Sequence, residues 1–396
     1  MQKLRRYDLD WLRVGVFSLL IFYHVGMFFV PWGWHLKNNI IYPELRWPML
    51  FLNQWRLPVL FVISGMGTYY AYSFRTPKQY SWERIRRLGI PLIFGMLLIV
   101  PPQVYLERLA NGEIDGSYWS FFPLKAFIGI YPTGNLSWHH LWFLPYLLVY
   151  SLVMAWPFRR MIDRPGKLVA WVSRRLKTPW GWLVFILPLY LLEAFLEPFF
   201  EVTHALVGDW FALLNFGLLF IFGFLLLASG QAFWDNVTRY RKRNLLVGIV
   251  SFSILVILWQ FDDGSARHFT EAAFKVLNLW TWIFVLFGYS AVYLNRPGKL
   301  LRYCNRAVYP FYILHQTITL IIAYFIMGKD WGFWPKATLL TTGTFLGCFL
   351  LYQFLILPIK WLHPFFGLKK MSSYRNEKDA SLPTTGLQPE KGKMYL

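Results

Sequence analysis

Arg13 and His24 stand eleven positions apart in a stretch that is otherwise almost wholly apolar. At 3.6 residues per turn this is close to three turns, so a helix through both puts them on one face, about 16 Å apart along its axis. An imidazole titrates near neutrality and can take a proton from a hydroxyl, while a guanidinium fork matches phosphate or carboxylate. Singly, each has a plain structural reading: His24 as a packing histidine, Arg13 as an interface residue whose head reaches water. Together on one face they are a candidate catalytic pair. Asp10, three residues earlier, can pair with Arg13 or meet the positive end of the helix dipole.

Other ionisable groups also fall at membrane depth, where each costs free energy and so raises a functional question. Arg84 and Arg87 are three apart just before an apolar run, and two guanidiniums on one face suit phosphate as well as they suit an interface anchor. Arg56 lies inside a second apolar run and needs a partner or an anionic ligand. It precedes Phe61 and then Ser64, Gly65 and Gly67, the last three small enough to permit close helix approach. His139 and His140 open another run, and His315 lies in Tyr312-Ile-Leu-His315, nearer the inner side than His24. Glu193 and Glu197 are one turn apart and could bind a proton or cation, or accept from sugar hydroxyls. His35, His268 and His363 fall in loops or at boundaries with no evident role. Ordered by expected depth, Arg13, Arg84 and Arg87 lie inside, His315 and His24 in the middle, and His140, Arg56 and Glu193 outside.

The composition says what must position these groups. Of 396 residues, 56% are hydrophobic, 20% aromatic and only 15% charged, with a mean hydropathy of +0.38. A soluble domain carries closer to a quarter charged residues, so this chain needs a bilayer as part of its solvent. Ten apolar stretches are long enough to cross one, near 12–30, 55–74, 88–106, 139–158, 182–200, 211–229, 245–261, 277–294, 308–327 and 338–362. With ten spans, 29 of the 40 Lys and Arg fall on the side of the termini and 8 on the other. A wrong count would blur that contrast. The expectation is an all-α membrane bundle of about ten helices with both termini cytoplasmic. Met1 to Val30 lacks a small-residue cleavage site and is expected to stay as the first helix. Residues 1–370 read as one transmembrane domain and 371–396 as a cytoplasmic, disordered tail. The net charge of +20 follows sidedness and membrane lipids, not nucleic acid. Cys304 and Cys348 have no CxxC or Cys/His spacing, so neither a disulfide framework nor a metal site is expected.

In these residues the chain resembles the acyltransferase-3 family of integral membrane acyltransferases, over roughly residues 5–365. The matching features are the Arg13/His24 spacing, Arg84-x-x-Arg87, Phe61-x-x-Ser64-Gly65 and Tyr312-x-x-His315. Arg56 ahead of Val59 to Gly65, Arg84 to Pro91 and His140 to Leu144 place it nearest a branch that succinylates osmoregulated periplasmic glucans. Pro145 and Tyr146 stand where other branches often carry an acid. The resemblance implies acyl transfer in the bacterial inner membrane, from cytoplasmic acyl-CoA (succinyl-CoA or acetyl-CoA) to hydroxyls of a periplasmic carbohydrate. Acyl-CoA would be a co-substrate, with no permanently bound cofactor and no metal, and glucan-synthesis proteins would be further partners. His24 would be the general base and Arg13 would hold donor phosphate or orient the donor along the His24 face. Arg84 and Arg87 would hold the CoA phosphates, and Arg56 the free carboxylate of a succinyl group. His140, Glu193 and His315 would face substrate, with Asp10 and Ser64 in support. Arg13 and His24 would then border a hydrated passage reached from both compartments.

Two other classes stay open. A secondary transporter also buries His, Arg and Glu, though many such folds show inverted repeats and no matching halves are evident here. A catalytically silent subunit anchoring a glucan-building complex would have no use for both Arg13 and His24.

Overall fold

The computed structural model describes residues 6–72, 74–262 and 264–368. The tail expected to be disordered lies outside the described residues. In chain order the helices are α1 (Tyr7–Met27), α2 (Arg46–Ala71), α3 (Pro77–Ala110), α4 (His139–Val153), α5 (Ala155–Asp163), α6 (Lys167–Leu176), α7 (Gly181–Phe199), α8 (Trp210–Ala228), α9 (Gln231–Arg239), α10 (Arg241–Leu258), α11 (Ser265–Tyr293), α12 (Lys299–Ile326) and α13 (Phe333–Ile356). No β-strand occurs among the described residues, only one isolated bridge between Ile130 and Leu136.

Local chemistry sets several boundaries. Asp8 and Asp10 lie in the first turn of α1, at the positive end of its dipole. At its other end the Lys37 ammonium donates to the carbonyls of Met27 and Val30, tying the following loop back onto the helix. Thr76 and Gln79 form a reciprocal capping box with Pro77 in the first turn, which starts α3 sharply. Inside α3 two stretches, Ile85–Gly89 and Gly95–Ile99, are π-helical. Arg84 ends an α-helical segment and Arg87 sits in the first of these π turns, so the Arg-x-x-Arg spacing spans a change of helical pitch. Such insertions recur at functional sites.

Among the described residues, eight helices (α1, α2, α3, α7, α8, α11, α12 and α13) are long and apolar enough to cross a membrane, and α4 with α5 makes a ninth bent by 48°. The remaining expected stretch, the seventh at 245–261, is helical as α10, but Arg241, Lys242 and Arg243 open its 18 residues and shorten the apolar part. Its packing still runs the length of α11, from Gly288 near Val237 and Arg241, through Ser251 and Asn278, to Trp259 and Glu271. α1 and α12 lie parallel: Tyr7 meets Asn295, Arg13 meets Asn305, Phe17 meets Tyr312 and His24 meets His315. Parallel α1 and α12 need an odd number of crossings between them, which α2, α3, α4–α5, α7, α8, α10 and α11 supply. With α4–α5 taken as one crossing, that parity makes α10 the tenth.

The bundle closes most tightly where α2 meets α8. A Cβ on Gly65 would lie 1.9 Å from the Phe220 carbonyl oxygen, and one on Gly223 would lie 2.0 Å from that of Val62. The two glycines thus let two backbones touch reciprocally, as small residues do between helices in lipid. Phe158 stacks on Phe224 beside this contact at 3.8 Å between ring centroids. The outside stays apolar: Ile93, Leu187, Leu246, Phe325 and Phe354 are each at least 60% exposed. A water-soluble protein could not leave that surface uncovered, whereas a bilayer covers it.

Candidate active site

Both members of the first-helix pair face α12, which is why one face carried them. At one level the Arg13 guanidinium donates to the Asn305 carbonyl oxygen at 3.3 Å and lies 3.7 Å from Asp10. Asn305 in turn donates to Asp10 at 3.2 Å, closing a triangle between α1 and α12. Arg84 and Arg87 face the same end from α3. Arg84 lies 4.8 Å from the Tyr80 ring, and Arg87 pairs with Glu83 at 3.5 Å while its backbone carbonyl accepts from the Tyr309 hydroxyl. The Nε atoms of Arg84 and Arg87 are buried and have no hydrogen-bond partner among the described residues. Three guanidiniums therefore converge here, with Asp10 and Glu83 as counter-charges.

Three turns further along, three imidazoles come together. The ring centroids of His24 and His315 are 5.0 Å apart, and those of His315 and His140 are 5.1 Å apart. Their partners fix which nitrogens carry protons, because a carbonyl can only accept. Nδ1–H of His315 donates to the Tyr312 carbonyl at 2.8 Å and faces that of Phe311 at 3.2 Å. In the neutral ring this leaves Nε2 with its lone pair, buried and unpartnered among the described residues. His140 is the converse: its Nε2–H donates to the Ile313 carbonyl at 3.0 Å, and its Nδ1 accepts from the Gln103 amide at 3.4 Å. Both of its ring nitrogens are thus occupied, and it braces the site where the sequence suggested contact with substrate. Gln316 donates to Gln103, Gln103 to Thr317, and the Tyr312 hydroxyl to the His140 carbonyl. His24 Nδ1 is buried with no partner among the described residues, yet the residue as a whole is only half-buried, while His315 is fully buried.

The expected depth order therefore changes. His24, His315 and His140 share one level. α12 begins at Lys299, well before the apolar run, so His315 lies deeper along it than the apolar pattern implied. His140 is drawn inward by its bond to Ile313. Arg56 belongs to the same level: its guanidinium lies over the Tyr23 ring at 3.4 Å and is 3% exposed. Its Nε and Nη1 have no hydrogen-bond partner among the described residues.

A loop covers the site from the α8 side. His204 stacks on Trp142 at 3.8 Å, and Asp209 accepts from the Tyr146 hydroxyl and the His204 backbone. Burial pushes the His204 imidazole down to about 4, opposed by Asp209 and reinforced by Arg56, so it is neutral at physiological pH.

Two candidates do not join this group. The Glu193 carboxylate lies 3.3 Å from Lys275, which also meets Glu271 at 3.0 Å, within an ion-pair cluster between α7 and α11. The Ser64 hydroxyl donates to the Leu60 carbonyl of its own helix at 2.7 Å, so the Phe-x-x-Ser-Gly element serves helix packing. Between the Arg13 and His24 levels Phe17 and Tyr312 pack edge to face at 5.3 Å between ring centroids. Cavities of about 490 Å³ beside Phe199 and Glu271, and about 290 Å³ beside Trp156 and Asp163, are lined by neither residue. Tyr23, Gln103, Gln316 and Asp209 carried no sequence signal, because each matters only through contacts distant in the chain.

A family profile described as an acyltransferase domain, of the acyltransferase-3 type, matches residues 6–353. The chain is similar to the glucans biosynthesis protein C of Escherichia coli O81 (strain ED1a), with 25% identity over 343 residues, covering 81% of this chain and 84% of that protein. The proteins of the same name from Escherichia coli SMS-3-5 / SECEC and O6:K15:H31 (strain 536 / UPEC) show the same identity and coverage. No solved structure matches the chain at comparable strength.

Proposed function

Because the chain belongs to the acyltransferase-3 family, we propose that it moves an acyl group, succinyl or acetyl, from acyl-CoA to a carbohydrate hydroxyl. Both termini and the Arg13 end face the cytoplasm of a bacterial inner membrane, in keeping with the basic residues gathered on that side. The acceptor is a periplasmic glucan or a related glycan, in keeping with the name of the relatives. The observation that carries this reading is the pairing of His24 with His315, whose Nε2 keeps its lone pair and is unpartnered among the described residues, beside Arg56, whose Nε and Nη1 are likewise unpartnered there.

The donor's phosphates rest on Arg84, Arg87 and Arg13, and its pantetheine arm runs along α1 towards His24, displacing the Phe17–Tyr312 contact. His24 takes the proton of the acceptor hydroxyl as that oxygen attacks the thioester carbonyl, and the lone pair on His315 Nε2 faces the imidazolium so formed and steadies its charge. The tetrahedral intermediate collapses, the C–S bond breaks, and the thiolate of CoA leaves with the proton returned from His24. Arg56 holds the free carboxylate of a succinyl donor, for which a planar fork is suited.

The test is transfer by the purified full-length protein, with succinyl-CoA or acetyl-CoA and a periplasmic glucan extract, read as mass added to the glycan. Covalent acylation with release of CoA supports the proposal. Uptake of substrate into vesicles without covalent change would indicate a transporter instead. Arg13→Lys should raise the donor KM, since a point charge does not replace a fork.

A further inference from the structure

We propose that His35, Glu107 and His139 form a binding site for one divalent transition-metal ion, with Zn²⁺ the ion that the donor set fits. The three come from separate segments: the loop after α1, the last turn of α3 and the first turn of α4. One ligand atom from each lies within 4.8 Å of the others. His35 Nδ1 and Glu107 Oε2 are 2.6 Å apart, and the His35 and His139 rings meet edge to face at 4.4 Å.

The remaining atoms of these side chains are already oriented. Glu107 Oε1 accepts from the Tyr131 hydroxyl at 2.9 Å, and His139 Nδ1 lies 3.4 Å from the Ser137 hydroxyl. This leaves Glu107 Oε2 and His139 Nε2 to face the cluster. His139 Nε2 is buried with no hydrogen-bond partner among the described residues. Metal-binding imidazoles and carboxylates have this pattern, one atom on the ion and the other held by a neighbouring group. An ordinary His35–Glu107 ion pair would account for two of the residues and leave His139 unexplained. His139 is also held at a φ of +37°, a left-handed backbone that a non-glycine residue adopts at a cost. The nearby Arg108 guanidinium is directed elsewhere, to Glu113 and to the carbonyls of Pro132 and Gly134.

Two imidazoles and one carboxylate leave the fourth tetrahedral position of Zn²⁺ for water. The ion would cross-link three segments at the rim of the bundle. Trp34 joins that rim to the site, lying 6.2 Å from His24 and 5.9 Å from His35 between ring centroids. This departs from the expectation of a metal-free chain, which weighed only the cysteines, and it stands independently of acyl transfer.

The untagged full-length protein, stripped with a chelator and re-equilibrated with Zn²⁺, tests it by elemental mass spectrometry. The wild type should retain about one Zn²⁺ per chain and gain thermal stability when Zn²⁺ is added. Glu107→Gln and His139→Gln should each bind at least about tenfold more weakly and lose the Zn²⁺-dependent gain, while His268→Ala should match the wild type. A wild type that retains no Zn²⁺ overturns the site even if the variants fold poorly. So do Glu107→Gln and His139→Gln proteins that bind as the wild type does.

Discussion

Replacing Arg56 by Met should stabilise the protein while damaging its activity. The guanidinium is 3% exposed, and its Nε and Nη1 have no hydrogen-bond partner among the described residues. A buried unsatisfied donor costs about 1–3 kcal/mol, so two cost about 2–6. Against this stands the contact with the Tyr23 ring at 3.4 Å, worth about 2 kcal/mol when desolvated. Methionine has similar reach, adapts to irregular space and carries no donor. The net expectation is a gain of about 0–4 kcal/mol, seen as a Tm of the detergent-purified protein that is unchanged or raised by several degrees. The same variant loses a charge-assisted contact to a succinyl carboxylate, about 1.5–3 kcal/mol, or roughly tenfold to a hundredfold in kcat/KM with succinyl-CoA. Acetyl transfer, which presents no second carboxylate, should fall much less. A Tm lowered by several degrees would refute the reasoning, because it would show that Arg56 is paired and structural.

Other parts of the structure can be tested in the same preparation. Gly65→Ala would put a methyl 1.9 Å from the Phe220 carbonyl oxygen and should cost at least about 1–3 kcal/mol. Gly67→Ala, with nothing within 4 Å of the added carbon, should be neutral; equal Tm values for the two would contradict the tight α2–α8 crossing. His204 is pushed down to about 4 by burial, against about 6.5 when unfolded. Its protonation therefore favours the unfolded chain. The penalty is absent above pH 6.5 and grows as pH falls towards 4, by at most about 1.4 kcal/mol per pH unit. His204→Phe, which keeps a ring on Trp142, should flatten the fall in Tm between pH 6.5 and 4.5. Parallel slopes would count against a buried neutral imidazole.

The membrane architecture was legible in the sequence because hydropathy and charge sidedness are local quantities. Each expected span corresponds to a helical segment, and the shortest, 245–261, is the one whose helix opens on three basic residues. The shared face of Arg13 and His24 was legible for the same reason, since a helix fixes angle from spacing alone. The depth of His315 was not, because α12 extends about two turns before its apolar run. The bracing of His140 by Gln103, Gln316 and Ile313 joins segments far apart in the chain, so no window of sequence contains it. Glu193 looked like a site residue because its burial was visible, whereas its partner Lys275, 82 positions away, was not. Nor could spacing show that the first turn of α4 would bring His139 against His35.

The most direct measurement is single-turnover transfer of a radiolabelled acyl group from acyl-CoA to glucan by full-length wild-type, His24→Ala and His315→Ala proteins, with CoA binding measured in parallel. Removal of the base should slow transfer about 10²- to 10⁴-fold in His24→Ala, and His315→Ala should also be slow, while both bind CoA as the wild type does. Transfer by His24→Ala within a few-fold of the wild-type rate would contradict the account.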